Sequence, residues 1–387
     1  MIKKMFHNYD YSLLVVMLLL IGTGLIMVYS AGSVWASMIM KPAHPADYFF
    51  VKQLIWFVVA IPFGLFGMVT PYRLYQKLVK PMILGSIFLL IVLYLFGSVR
   101  NNAQSWLSFG GFNLQPAEVV KISLIFYLAS VFEHKQNKIE RFMSVWPPLA
   151  VIVIVFFLVA KQPDLGTAMI LIMISGIMVV CSGMAFRHLI LLIGGGAAGI
   201  IGYFAMAISH VQSGRFAAAY DPFSVAQSTG RQLINSYIAI ASGGLFGKGL
   251  GQSIEKTGFL PEPQTDFIIA IIGEERGLIG ILFIILCLAY LVFRGFVTAV
   301  RCKDTFGSLL AIGISSMIAV QTFVNLGAAT GLIPVTGVTL PFISYGGSSL
   351  VVLVFSIGVL LNISSLVNMK RSSIKQEGNR ENVKASH

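Results

Sequence analysis

The sequence predicts an all-α integral membrane protein with ten transmembrane helices and a large extracytoplasmic loop between helices 7 and 8. Three observations predict it. Of 387 residues, 57% are hydrophobic and only 11% are Asp, Glu, Lys or Arg, too few charges to cover a soluble domain of this length. Mean hydropathy is +0.85. The apolar residues fall in blocks of about 16 to 28, long enough to cross a hydrocarbon core roughly 30 Å thick.

Residues 1–10 read as a cytoplasmic N-terminus. The spans follow at about 11–31, 54–70, 81–96, 117–132, 146–160, 165–185, 188–209, 267–293, 305–330 and 342–369. The first is longer than a signal-peptide core and reads as a retained span. Together 11–369 form one transmembrane domain, with the large outer loop at about 210–266. Residues 370–387 are polar, lack apolar periodicity and read as a disordered cytoplasmic tail. No pair of broken segments repeats in two halves, as an inverted-repeat transporter would require.

Seventeen basic residues fall on the side that holds both termini and eight on the other, which places both termini in the cytoplasm. The net charge of +12 is spread as short basic clusters between apolar blocks, so it points to topology and away from nucleic acid. Cys181, Cys287 and Cys302 sit within or at the ends of spans, which argues against a disulfide framework or metal cluster. The polar motifs all fall on the outer side, where ATP and nucleotide sugars are absent. Chemistry there needs a substrate carrying its own leaving group, most simply a lipid-linked one.

The stretch "LPEPQTDFIIAIIGEERG" (260–277) concentrates charge before and within an apolar run. Asp266 reads either as a helix N-cap or as a carboxylate at the bilayer surface with apolar walls raising its pKa toward general-base range. Glu274, Glu275 and Arg276 follow on the same helix, on the order of 12 Å deeper. Charges at that depth cost several kcal/mol unless paired, so all three are expected to serve structural ion pairing.

"LQPAEVVKI" (114–122) opens a helix at Pro116 and puts Glu118 and Lys121 one turn apart, as an internal ion pair or the edge of a head-group pocket. "KQPDLGTAM" (161–169) gives Asp164 as a second cap or a second carboxylate at the outer mouth. In the outer loop, "GLFGKGLG" matches no nucleotide fingerprint, but Arg215, Arg231 and Lys248 suit the grip of a diphosphate. Lastly, "NLGAATGLIPVTGVTLPFISYGGSS" (325–349) interrupts two spans with Pro and Gly. Irregular backbone at membrane depth predicts a cavity lining, and Ser344 within it joins the substrate-binding candidates.

These motifs, with "QPDLGTA", "QPAEVVK" and "SGGLFGKGLG", resemble the signature of the SEDS family (shape, elongation, division and sporulation), from about residue 10 to 368, and most closely its division branch. The resemblance implies a ten-span peptidoglycan glycosyltransferase that polymerises lipid II outside the bacterial cytoplasmic membrane, at the division septum. It implies as partners lipid II, the undecaprenyl-diphosphate-linked glycan, a class B penicillin-binding protein that supplies the transpeptidase, and other division membrane proteins. The family's catalytic aspartate falls on Asp266, its conserved charged pair on Glu118 and Lys121, and its third motif's aspartate on Asp164. A divalent cation, magnesium or manganese, is the one candidate cofactor. Two departures stand out: "NNAQSW" (101–106) lacks the basic residue relatives carry near Ser105, and Asn235 stands at a usual glutamine. The rival readings are a lipid II flippase, an elongation or sporulation role, and a non-catalytic scaffold.

Overall fold

The computed structural model describes residues 2–40, 42–100, 103–109, 112–134, 142–183, 210–226 and 230–385. Helix α1 (Ile2–His7) precedes α2 (Tyr11–Val34), which ends in a π turn at Trp35–Ile39. Next come α3 (Tyr48–Val69), α4 (Tyr72–Phe96), α5 (Pro116–His134), α6 (Phe142–Ala160) and α7 (Leu165–Cys181). Helices α8 (His210–Tyr220) and α9 (Arg231–Gly243) come next, and then α10 (Ile268–Arg301), α11 (Thr305–Ala329) and α12 (Gly347–Ala385) follow. Six of these helices are long and apolar enough to cross a membrane, and Trp146–Ala160 and Leu165–Cys181 are shorter apolar helices. The span expected at 188–209 lies outside the described residues.

Polar side chains are buried within a large apolar core, and apolar side chains also cover the outer faces of the helices. Ser315, Gln321, Asn325 and Asn362 are buried, whereas Leu84, Phe88, Leu286 and Phe293 stand exposed on the helix faces. That distribution costs nothing where the surroundings are hydrocarbon. Small residues set the close crossing of α3 and α12. A Cβ on Gly67 would lie 2.7 Å from the Phe355 carbonyl, and one on Gly64 would meet Val354, so α3 and α12 touch backbone to backbone.

The structure departs from the sequence expectation at several places. Helix α4 begins at Tyr72 rather than near Pro81, because Tyr72, Tyr75 and Val79 form a buried stripe and the Asn362 side chain accepts the Tyr72 N–H. The backbone of α12 stays helical to Ala385, where a disordered tail is expected. An existing span supplies the nucleus, and Lys, Arg, Gln and Glu extend a helix readily. The all-α expectation also misses a small antiparallel meander, β1 (Ser98–Arg100), β2 (Ala103–Phe109) and β3 (Phe112–Leu114), in the order β1-β2-β3. Leu107 pairs with Leu114 and Ser98 with Trp106. β1 and β3 are too short for alternation to show, and β2, AQSWLSF, does not alternate apolar with polar.

Helix α10 is not continuous. Gly277 has φ 66° and ψ −166°, a conformation reserved for glycine. In an unbroken helix the N–H groups of Leu278 and Ile279 would reach Glu274 and Glu275. Here they donate to the carbonyls of Gly244 and Leu245, while Lys248 and Gly249 N–H groups donate to Glu274 and Glu275 at 2.9 and 3.0 Å. The glycine-rich loop is spliced into the break. Gly243 and Gly247 have no room for a Cβ against the backbone of Gly273 and Glu275.

Candidate active site

A cavity of about 570 Å³ opens where the N-terminal ends of α5, α7 and α10 meet the broken segment between α11 and α12. Buried amides hold that segment in place. Gln53 of α3 donates to the Ser344 carbonyl at 3.3 Å and accepts the Gly346 N–H at 3.2 Å. Gln321 donates to the Thr339 carbonyl at 3.0 Å. Asn325 donates to the Val338 carbonyl at 2.7 Å and to the Asp266 carbonyl at 2.8 Å. The Tyr345 N–H donates to the Gln264 carbonyl at 2.9 Å, which ties the segment to the residues before α10. Thr336, Gly337, Val338 and Thr339 line the cavity, as irregular backbone at this depth must if its polar groups are to be satisfied.

Asp266 lines the cavity two residues before α10. It is not the cap: Phe267 holds that position and makes no side-chain capping bond. The carboxylate instead accepts the Thr265 hydroxyl at 2.8 Å and is partly open to the cavity. Its surroundings are protein rather than bulk water, and this burial pushes its carboxyl above the usual carboxylate range. Thr265, the residue's own N–H and the Arg215 guanidinium pull it back. Arg215, near the middle of α8, lines the same cavity.

Asp164 is both cap and cavity residue. It accepts the Thr167 N–H at 3.1 Å and hydroxyl at 3.0 Å, and also Gln115 at 3.3 Å and Ser105 at 3.4 Å. Burial raises its carboxyl, the two Thr167 bonds and Lys121 lower it, and Glu118 raises it further. Glu118 and Lys121 are 2.9 Å apart on α5, both buried, and Lys121 also donates to Gln321 at 3.0 Å. Both line the cavity, so the internal-pair and pocket-edge readings hold together. Aromatic rings of Trp35, Tyr48, Trp56 and Trp106 complete the walls, surfaces on which a sugar ring can stack.

The match of the family model FTSW_RODA_SPOVE, described as cell cycle protein, covers residues 11–369. The chain belongs to the FtsW/RodA/SpoVE family. It is 46% identical over 389 residues to the probable peptidoglycan glycosyltransferase FtsW of Bacillus subtilis, covering 97% of this chain and 96% of that protein. It is 40% identical to the stage V sporulation protein E of the same organism, over 92% of this chain and 96% of that one. The rod shape determining protein RodA of Thermus thermophilus shares the fold with a TM-score of 0.67 at 26% identity, covering 92% of this chain and 96% of that one. A chain from a peptidoglycan synthase complex superposes with a TM-score of 0.75 at 24% identity, over 92% of this chain and 97% of that one, a likeness of fold.

In this FtsW/RodA/SpoVE family member, Asp266, Glu118, Lys121, Asp164 and Arg215 come together at one cavity. The other three candidates stand elsewhere. Lys248 pairs with Glu274 at 2.8 Å, and its glycine-rich loop fills the α10 break instead of cradling a phosphate. Arg231 reaches the Gly258 carbonyl at 3.4 Å from an exposed site. Ser344 is buried, and its hydroxyl accepts the Leu340 N–H at 2.9 Å, closing a turn behind the cavity wall. Glu275 pairs with Lys256 at 2.8 Å and accepts the Ser30 hydroxyl at 2.7 Å, whereas Arg276 is exposed and makes no ion pair among the described residues. The break at Gly277 explains the split: the docked loop brings lysines to Glu274 and Glu275.

Sequence reasoning missed Lys52 of α3, which lines the cavity, donates to the Tyr48 hydroxyl at 2.6 Å and lies 4.3 Å from that ring's centre. Its place among the few outside basic residues, next to an apolar run, was the available signal. No group of three or more His, Cys, Asp or Glu residues able to hold a metal is present among the described residues. Around Asp266 the neighbours are a hydroxyl and a guanidinium, a donor set that does not fit a resident divalent cation.

Proposed function

We propose that this chain is a peptidoglycan glycosyltransferase that polymerises lipid II on the outer face of the bacterial cytoplasmic membrane during septal wall synthesis. The observation that carries the reading is the single cavity in which a raised, half-buried Asp266 faces Arg215, Lys52 and the Glu118–Lys121 pair. A general base and a set of cations are what transfer from a diphosphate leaving group requires.

The acceptor is the GlcNAc 4-hydroxyl of lipid II, and the donor is a growing glycan on undecaprenyl diphosphate. Asp266 takes the hydroxyl proton as that oxygen forms its bond to the anomeric carbon. The bond from that carbon to the diphosphate oxygen breaks with its electron pair, and the carbon inverts. Arg215, Lys52 and Lys121 stabilise the charge that develops on the diphosphate. Asp164, held by four donors, orders the wall formed by α7 and the β2–α5 connection.

The topology in this reading has ten spans, with 188–209 as the seventh and both termini cytoplasmic, so Asp266 lies at the outer rim. The partner is a class B penicillin-binding protein that cross-links the product. The relative solved within a peptidoglycan synthase complex supports this, since that complex coordinates polymerization with crosslinking. Purified protein supplied with lipid II, with and without a candidate transpeptidase, tests the function. Glycan polymer formed by the wild type and lost in Asp266→Asn is the expected result. Lipid II translocation without polymer would favour the flippase.

A further inference from the structure

Arg276 is the one member of the Glu274–Glu275–Arg276 trio left without a counter-ion among the described residues. It lies beside a second cavity of about 430 Å³ between α2 and α10, which shares no lining residue with the catalytic one. Ile26, Ile279 and Phe283 line this groove from the two helices, and Phe246 and Leu250 line it from the loop docked in the α10 break. All five side chains are exposed, so the groove opens to the surroundings of the protein. Its only other polar side chain among the described residues, Thr23, is already committed: its hydroxyl donates to the Leu19 carbonyl at 2.8 Å.

We propose that this groove binds one anionic phospholipid, with the phosphodiester on the Arg276 guanidinium and an acyl chain along the apolar walls. A guanidinium in apolar surroundings demands an anion, and its planar fork suits phosphate oxygens. The charge count selects the lipid. One cation balances the single charge of a phosphodiester, whereas a polyprenyl diphosphate or a sugar needs donors this groove does not have. The phosphate lies at the outer interface, where the loop between α9 and α10 meets α10. The lipid thereby bridges α2, the docked loop and α10, apart from the residues that line the catalytic cavity. The placement rests on the outward orientation of this end of α10 and not on the polymerase reaction.

Native mass spectrometry of full-length protein tests it, after equilibration in phosphatidylcholine vesicles containing an equal fraction of phosphatidylglycerol with matched acyl chains. The wild type is expected to retain one phosphatidylglycerol per chain, at least tenfold over phosphatidylcholine. Arg276→Gln is expected to lose that preference and Arg276→Lys to keep part of it. Should Arg276→Gln fail to fold, the wild-type headgroup preference alone decides. Equal retention of the two lipids, or undiminished preference in folded Arg276→Gln, overturns the site. A third vesicle set doped with undecaprenyl phosphate completes the test: selective retention of that lipid over phosphatidylglycerol overturns the phospholipid assignment. Because the readout is lipid retention, an inactive polymerase would leave the result intact.

Discussion

The Asn325 amide donates to the Asp266 carbonyl at 2.8 Å and to the Val338 carbonyl at 2.7 Å, joining the two loops that face each other across the cavity. Helix α11 thus fixes the backbone of the proposed base without touching its carboxylate. Asn325→Leu removes both donors and leaves two buried carbonyls without this partner. The expected outcome is a ten- to hundredfold fall in kcat, at about one to three kcal/mol of lost positioning. KM should change less, and the pH profile should stay in place because the carboxylate's own partners remain. A loss of folded protein in proportion to activity would reduce Asn325 to a structural role.

Asp266→Asn separates chemistry from stability. As the general base, Asp266 contributes about 10²- to 10⁴-fold, so polymerisation should fall by that factor on the pH plateau, with the gap narrowing on the acid limb where the wild-type carboxyl is protonated. Stability should move the other way. The folded state holds the Asp266 proton more tightly than the unfolded chain, so the wild type loses stability as pH rises from near 3.8 through the raised value. The asparagine variant has no such loss. Its melting temperature should exceed that of the wild type at neutral pH, with the gap closing as pH falls below the ordinary carboxylate range. A variant that melts lower at neutral pH would contradict the buried-base reading.

Arg215→Gln probes the same carboxyl from its charged neighbour. Arg215 lowers the Asp266 value, so its removal raises it further. The acid limb of kcat/KM should move to higher pH, and the rate on the plateau should fall because a cation facing the diphosphate is gone. A plateau loss with an unmoved acid limb would leave Arg215 as a substrate contact only.

What the sequence revealed follows the physics of each signal. Hydrophobic blocks tens of residues long marked every described span from α2 onward, because burial in hydrocarbon leaves a composition no short feature can hide. Asp266, Glu118, Lys121 and Asp164 were legible as charges beside apolar runs. Lys248 misled because a lysine in a glycine-rich loop suits an anion equally well whether that anion is a phosphate or Glu274. Gln321 and Asn325 were invisible for the opposite reason: amides inside an apolar helix carry no charge and break no period, and only the facing loop gives them partners. The α10 break was invisible too, since Gly277 follows two glutamates whose partners lie some twenty residues away in sequence.

Glu275 and Lys256 form a buried pair completed by Ser30, whose hydroxyl donates to both carboxylate oxygens at 2.7 Å. Lys256→Met keeps the stem and removes the charge, leaving Glu275 with hydroxyl and backbone donors but no cation. The expected cost is about 3–5 kcal/mol, read as a fall in the chemical-denaturation midpoint. Lys256→Met combined with Glu275→Gln should recover much of that loss, because no buried charge is then left over. A double variant no better than the single one would show that the hydrogen-bond geometry, not charge balance, sets the cost.

Gly277→Ala tests the splice in α10. Alanine at φ 66° and ψ −166° occupies a region open to glycine alone, and its Cβ would collide with the Leu245 carbonyl and the Gly247 N–H. The loop must leave the break, and with it go the hydrogen bonds from Lys248 and Gly249 to the Glu274 and Glu275 carbonyls. Glu274 then loses the Lys248 partner that the docked loop supplies. A destabilisation of at least about 2–3 kcal/mol is expected, measured against Gly22→Ala, where nothing lies within 4 Å of the added carbon. Gly22→Ala should instead be neutral or mildly stabilising, since alanine is the better helix former. Equal melting temperatures for the two variants would mean that the break at Gly277 is not held by the loop, and that Lys248 and Lys256 reach their glutamates by some other route.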